Sequence, residues 1–194
     1  MRQTRLFGED LYLARRISVE LGSSTIQIRD TVENRGYSKT PLMLLYHITL
    51  GFPLLDEDSR LISDPHPVRA FDQGSEAGLP LWDRFQAPTP GYQEQAFIHD
   101  LPADDEGCAE IALTNPNLGL RLSVRYHKAH LPNLIEWKMM GQGAYVLGLE
   151  PANCLTFGRA KERESGKLQF IEPGDERHFA VDIAVTDLSA SDPG

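Results

Sequence analysis

The sequence predicts an all-β fold, a largely antiparallel β-sandwich. Three observations support this: apolar and polar residues alternate with a period of two, turn signals interrupt the chain at short intervals, and no segment shows the caps and spacing of a long amphipathic helix. A length of 194 residues suits one domain with a substantial core, read as 1–194 with a flexible tail at 188–194. With 41% hydrophobic and 24% charged residues, wholesale disorder is excluded.

Leu11–Glu20 reads as the first strand. In Ser24–Val32, Ile26, Ile28 and Val32 share one face while Thr25, Gln27, Arg29 and Thr31 share the other, the pattern of a half-buried strand. After the turn signal Asn34-Arg35-Gly36, Pro41–Leu50 reads as one apolar strand. Residues 64–91 are rich in Pro, Gly and Asp and lack alternation, so they are expected to form a long excursion over one sheet face. Strands follow at Glu94–His99, Ala109–Thr114, Leu120–Tyr126, Leu134–Met140 and Ala144–Leu149, with turns at Asn115-Pro116-Asn117 and Leu131-Pro132-Asn133. Beyond Pro173-Gly174-Asp175, a last strand sets Phe179, Val181, Ile183 and Val185 against His178, Ala180, Asp182 and Ala184.

The formal charge of −9 and the absence of a basic run longer than Arg15-Arg16 argue against a nucleic-acid partner. No stretch reaches the roughly 20 apolar residues that cross a bilayer. The N-terminus has no apolar segment behind its basic residues, so no secretory signal is expected. Two cysteines, Cys108 and Cys154, make neither a disulfide scaffold nor a four-thiolate metal site, and a reducing cytoplasm is the expected compartment.

Three local patterns could carry chemistry. Leu44–Pro53 places His47 in an otherwise apolar strand, either as a satisfied structural histidine or as a group titrating near neutrality. Gln93-Glu94-Gln95-Ala96-Phe97 sets a carboxylate where a strand leaves the long excursion, which on its own reads as a solvated strand end. Tyr145–Cys154 ends an apolar strand in Glu150, and Pro151 holds Glu150 in extended geometry. Glu150 is then either a structural ion-pair partner of Arg159 or Lys138, or a base tuned by its surroundings. A His and a Glu on separate strands of one sheet, with another carboxylate beside them, can form an acid/base pair on one concave face. Trp137 supplies a stacking surface for the C–H face of a sugar, and Lys138 a donor.

The ordered set Tyr46-His47, Gly51-Phe52-Pro53, Glu94-Gln95-Ala96-Phe97, Gly148-Leu149-Glu150-Pro151-Ala152-Asn153-Cys154 and Gly158-Arg159 resembles the aldose 1-epimerase (galactose mutarotase-like) superfamily. More closely, it resembles the branch known as DUF4432, over about Leu11 to Val185. The resemblance implies a galactose mutarotase-like sandwich, here partial, and interconversion of sugar anomers without metal or organic cofactor. By motif, His47 corresponds to the acid that protonates the ring oxygen and Glu150 to the base that takes the anomeric hydroxyl proton. Glu94, followed by Gln95, falls where the family binds sugar hydroxyls with an aspartate. Trp137, Lys138, Asn153 and Arg159 are further expected sugar contacts. The superfamily's larger sandwich has an N-terminal half with more sugar-binding residues, and this chain resembles the C-terminal, catalytic half. Self-association to cover an exposed sheet, as a homodimer, is therefore expected. The alternatives are a non-catalytic carbohydrate-binding module and an inactive fragment of a larger protein.

Other signals point elsewhere. His127 and His130 lie where a strand runs into a turn and lack a third ligand nearby, so no metal site is expected. His66, between two prolines, reads as a solvated loop residue, and the acidic cluster Asp100–Glu106 as a solvated hairpin tip rather than a calcium loop. Cys154 has no basic neighbour that would make it a nucleophile.

Overall fold

In the computed structural model, which describes residues 1–188, the chain forms fourteen strands. They are β1 Arg2–Thr4, β2 Asp10–Ser18, β3 Thr25–Asn34, β4 Thr40–Leu42, β5 Ile48–Gly51, β6 Arg60–Ile62 and β7 Val68–Ala70. Then come β8 Gln95–His99, β9 Cys108–Asn115, β10 Leu120–His127, β11 Asn133–Gly141, β12 Ala144–Ala152, β13 Gln169–Ile171 and β14 Glu176–Asp187. A 3₁₀ helix spans Gln73–Leu81 and a single short helix, α1, spans Arg159–Glu164. Of the tail expected at 188–194, all but Leu188 lies outside the described residues.

The ladders are antiparallel and make a seven-stranded sheet in the order β1-β2-β3-β14-β10-β9-β6, a five-stranded sheet β5-β12-β11-β8-β7, and a small pair β13-β4. The period-two alternation decides which side chains lie between the large sheets. Val32, Ile111, Leu113, Val124, Phe179 and Val181 of the seven-stranded sheet share one buried cluster with Leu50, Leu134, Met140, Leu147 and Leu149 of the five-stranded sheet. A second, smaller cluster of Ile98, Ile135 and Leu155 lies on the other face of the five-stranded sheet, with Leu45, Phe71 and Ala96 packed against it.

Most expected strands are present within a residue or two. The expected strand over 41–50 is instead β4 and β5 with a break between them. Asn153 causes the break: its Oδ1 accepts the Leu44 N–H at 2.7 Å and its Nδ2 donates to Leu42 O at 3.0 Å. The Tyr46 N–H donates to Pro151 O at 3.0 Å. The chain therefore hands β4 to β13 and β5 to β12, and His47 sits just before β5 rather than inside a strand. Glu150 does not follow its strand, because β12 runs on to Ala152.

The excursion over 64–91 is not wholly irregular: it contributes β7 as an edge strand and the 3₁₀ helix, which is anchored at both ends. Asp72 caps the start, accepting from the Ser75 N–H at 3.0 Å and hydroxyl at 2.8 Å, while the Ser75 hydroxyl accepts the Ala96 N–H at 2.9 Å. At the far end, Lys138 Nζ donates to Leu81 O at 2.8 Å and also to Arg84 O. His66 is not a solvated loop residue: its Nε2 lies 2.9 Å from His99 Nδ1, and Trp82 packs edge-on against both rings.

A candidate acid–base site on the five-stranded sheet

The outer face of the five-stranded sheet carries a cleft of about 350 Å³. Its floor is two cross-strand rows fixed by register. One row is Ile98, Ile135 and Glu150, and the next is Ala96, Trp137 and Gly148. His47 reaches over from the break before β5. Phe71, Asp72 and Ser75 come from the excursion, Glu94 and Gln95 from the entry to β8, and Leu45 and Thr156 complete the lining.

His47 Nε2 lies 2.9 Å from Glu150 Oε1, and its Nδ1 lies 3.0 Å from Thr49 Oγ1. The His47 side chain is 47% exposed and that of Glu150 only 7%, so the imidazole faces incoming molecules while the carboxylate sits beneath it. Burial pushes the Glu150 carboxyl above the usual glutamate range, opposed by the attraction of His47. Trp137 contacts His47 edge-on, with ring centroids 5.7 Å apart, and its Nε1 donates to Glu94 Oε2 at 2.9 Å. Gly148 is what lets these groups converge. A Cβ there would stand 3.0 Å from His47 Cε1, 3.1 Å from Glu150 Oε1 and 3.3 Å from Trp137 Cβ.

The structure brings His47, Glu94, Trp137 and Glu150 together, with Gln95 at the edge of the cleft. The Gln95 amide itself turns to the inner face, where its Oε1 accepts from the Tyr92 hydroxyl at 3.0 Å. Lys138, Asn153 and Arg159, expected as sugar contacts, do not line this cleft. Lys138 follows Trp137 on one strand and therefore points to the opposite face, into the anchor of the 3₁₀ helix. Asn153 is buried and engaged with the backbone of β4 and its exit. Arg159 pairs with Glu9. Neither Lys138 nor Arg159 is the structural partner of Glu150.

Leu45, Phe71, Asp72, Ser75, Ile135, Gly148 and Thr156 are lining or shaping residues that sequence reasoning did not assign to the site. Two of them had a readable signal. Ile135 stands two residues before Trp137 on an alternating strand, and Asp72 begins an Asp-x-x-Ser helix cap. The lining holds three carboxylates, Asp72, Glu94 and Glu150, and no lysine or arginine. Among the described residues, no group of three or more His, Cys, Asp or Glu side chains is placed to hold a metal ion. Among the described residues, no helix is long and apolar enough to cross a membrane.

Solved structures share this fold. A Klebsiella pneumoniae protein named as a candidate aldose 1-epimerase superposes with a TM-score of 0.92 at 22% identity, over 97% of this chain and 50% of that one. A galactose mutarotase related enzyme from Lactobacillus acidophilus gives 0.63 at 12% identity, over 97% of this chain and 71% of that one. A galactose mutarotase-like protein from Lactobacillus casei gives 0.61 at 14%, over 96% and 72%. At these identities the likeness establishes the fold, a galactose mutarotase-like β-sandwich, and this chain spans about half the length of the Klebsiella protein. No curated protein matches the sequence. The family described as "Domain of unknown function (DUF4432)" matches residues 1–185, nearly the whole chain, and this protein belongs to that family.

Proposed function

We propose that this protein is a carbohydrate-active isomerase that interconverts the anomers of a free sugar by acid–base ring opening. The observation that carries the reading is the His47–Glu150 pair, a half-exposed imidazole held 2.9 Å from a nearly buried carboxylate at the floor of a sugar-sized cleft. The mutarotase-like fold and the names of its structural relatives point the same way.

In the proposed reaction, the hemiacetal O5–C1–O1 group enters between the two side chains. The Glu150 carboxylate takes the O1 proton and protonated His47 gives its Nε2 proton to O5. The C1–O5 bond breaks with both of its electrons passing to O5, and C1–O1 becomes a carbonyl. Rotation about C1–C2 turns the other carbonyl face to O5. In ring closure O5 attacks C1, His47 recovers its proton from O5, and protonated Glu150 returns one to O1. Each positioned proton transfer contributes about 10²–10⁴-fold. Trp137 offers an apolar ring face to the C–H face of the sugar, and Glu94, held by the indole N–H, accepts from sugar hydroxyls. A lining of three carboxylates with no lysine or arginine disfavours phosphorylated and carboxylated sugars.

Anomer exchange, measured by saturation-transfer NMR on free aldoses with Glu150→Gln alongside the wild type, tests this reading. Exchange above the spontaneous rate that the variant lacks is the expected result. Binding without exchange would favour a carbohydrate-binding module, and equal rates in both proteins would refute the acid–base pair.

A further inference from the structure

The seven-stranded sheet leaves part of a long strand open at its rim. There β1 covers β2 only from Asp10 to Tyr12, and Met1 and Leu13 then exchange both of their backbone hydrogen bonds, at 2.9 and 2.7 Å. Beyond Leu13, no described residue pairs with that side of β2. Backbone groups alternate in direction along a strand, so those of Arg15 and Ile17 point outward as those of Leu13 do. The strands at the other edges of the two large sheets are short, β6 and β7 having three residues and β5 four. Two common guards of an open edge are also missing from this one. No proline stands between Ala14 and Glu20, and the charge that points inward, Arg15, is held by Asp30, Nη2 to Oδ2 at 2.6 Å.

The open segment is complementary to itself. Read from either end towards Ser18, Arg16-Ile17-Ser18-Val19-Glu20 gives a charge and then a β-branched apolar residue, and the two end charges are opposite. Ile17 and Val19 are 62% and 56% exposed, and Arg16 and Glu20 are exposed as well. Ile17 lies on the core side of the sheet, since its register partner Ile28 pairs in turn with the buried Val181. Exposed Ile26 and Val185 lie on the same side. We propose that two copies of this chain associate edge to edge through β2, about a two-fold axis at Ser18. In that register Ile17 and the partner's Val19 exchange both backbone hydrogen bonds, with their side chains together on the apolar face. Arg16 stands opposite the partner's Glu20 in a closer, non-hydrogen-bonded pair. β2 then runs on to Glu20, where the turn closed by the Ser23 N–H on Glu20 O begins. Centring the pair on Ile17 instead would set Arg16 against Ser18 and leave both charges unmatched. The two-fold pairing covers both open edges, so assembly stops at two. This inference is independent of the chemistry at His47 and Glu150.

Sedimentation velocity of the full chain over a range of concentrations tests the assembly. A reversible monomer–dimer equilibrium is the expected result. A monomer throughout, or assemblies larger than two, would overturn the inference. Arg16→Glu and Glu20→Arg each set like charges across the pair and should weaken the dimer by about tenfold or more, while the two exchanges together restore it. Single exchanges without effect, or a double exchange that fails to restore association, would refute the pairing of Arg16 with Glu20. Ser18→Cys gives a readout that leaves the charges alone. Across the axis the two Cα atoms would stand about 4.5 Å apart, within the roughly 4.4–6.8 Å that a disulfide spans. Mild oxidation should link this variant into a covalent dimer and leave the wild type, with Cys108 and Cys154 as its free thiols, unlinked. Equal linking in both proteins, or none in either, would overturn the placement of Ser18 on the axis. Circular dichroism of each variant checks that it is folded.

Discussion

Two histidine–carboxylate pairs sit back to back across the five-stranded sheet, and they share little beyond composition. On the outer face, His47 and Glu150 stand 2.9 Å apart with side-chain exposures of 47% and 7%. On the inner face, His99 and Glu136 stand 3.1 Å apart with both side chains at 0%. The inner pair is held from behind. Asp64 O can only accept, so His66 Nδ1, 2.8 Å away, carries a proton. His66 Nε2 lies 2.9 Å from His99 Nδ1, and His99 Nε2 in turn lies 3.1 Å from Glu136 Oε2. Burial pushes the Glu136 carboxyl up, against the pull of His99 and Lys138. Both side chains of the pair are closed off from solvent. The outer pair has the same composition with its imidazole open to the cleft, as the proposed proton exchange with a sugar requires. Access separates a site from a structural clasp here, more than residue type does.

Substitutions in each pair should separate the two roles. Glu150→Gln is expected to lower kcat for anomer exchange by about 10²–10⁴-fold with thermal stability little changed. Glu136→Gln should leave the exchange rate close to wild type. His99→Ala should do the reverse of Glu150→Gln, destabilising the fold by about 3–5 kcal/mol in denaturant titrations because Glu136 is left buried and unpaired. A His99→Ala protein as stable as the wild type would erase the distinction. Gly148→Ala pushes against His47, Glu150 and the Trp137 stem together, so exchange should fall by roughly ten- to a hundredfold in kinetic assays of a folded protein.

The pH response sharpens the contrast further. A carboxyl whose folded pKa is raised contributes stability that is full below its unfolded value and is lost as pH rises through the folded value. The stability of Glu136→Gln relative to wild type should therefore improve as pH rises, by up to about 1.4 kcal/mol per pH unit in that window. Raised Glu150 acts on rate instead, since the base must be ionised. The acid limb of kcat/KM should lie above the ordinary glutamate value of 4.5. The smallest effect belongs to Trp137→Phe, which removes the donor to Glu94. Sugar binding measured by calorimetry should weaken by about 0.5–1.5 kcal/mol.

Alternation made the outer site partly legible from sequence. Glu150 and Trp137 lie on strands whose apolar neighbours, Leu147, Leu149 and Leu134, declare the buried face, so their own face follows. Closeness in sequence links Lys138, Asn153 and Arg159 to the site, but the structure places all three outside the cleft lining. On a strand, the next residue is on the other side of the sheet. The inner network was invisible for a different reason. His66 and His99 are 33 residues apart and Glu136 is 37 further on, and only the pairing of β7, β8 and β11 brings them into line. The break that frees His47 depends on Asn153, whose hydrogen bonds cross more than 100 residues of chain.

The back-to-back arrangement on β11 also bears on how this protein can change over time. Positions 135 and 137 face the cleft, while 134, 136 and 138 face the interior, so a substitution at position 137, which is only half-buried, reshapes the cleft with less cost to the fold than one at its buried neighbours. Insertion or deletion of a single residue has no such freedom. It would rotate the strand by one step and exchange an indole for a buried carboxylate, altering recognition and stability at once. Lineages carrying this sheet should therefore diversify their binding face by substitution while keeping the length of β11 fixed.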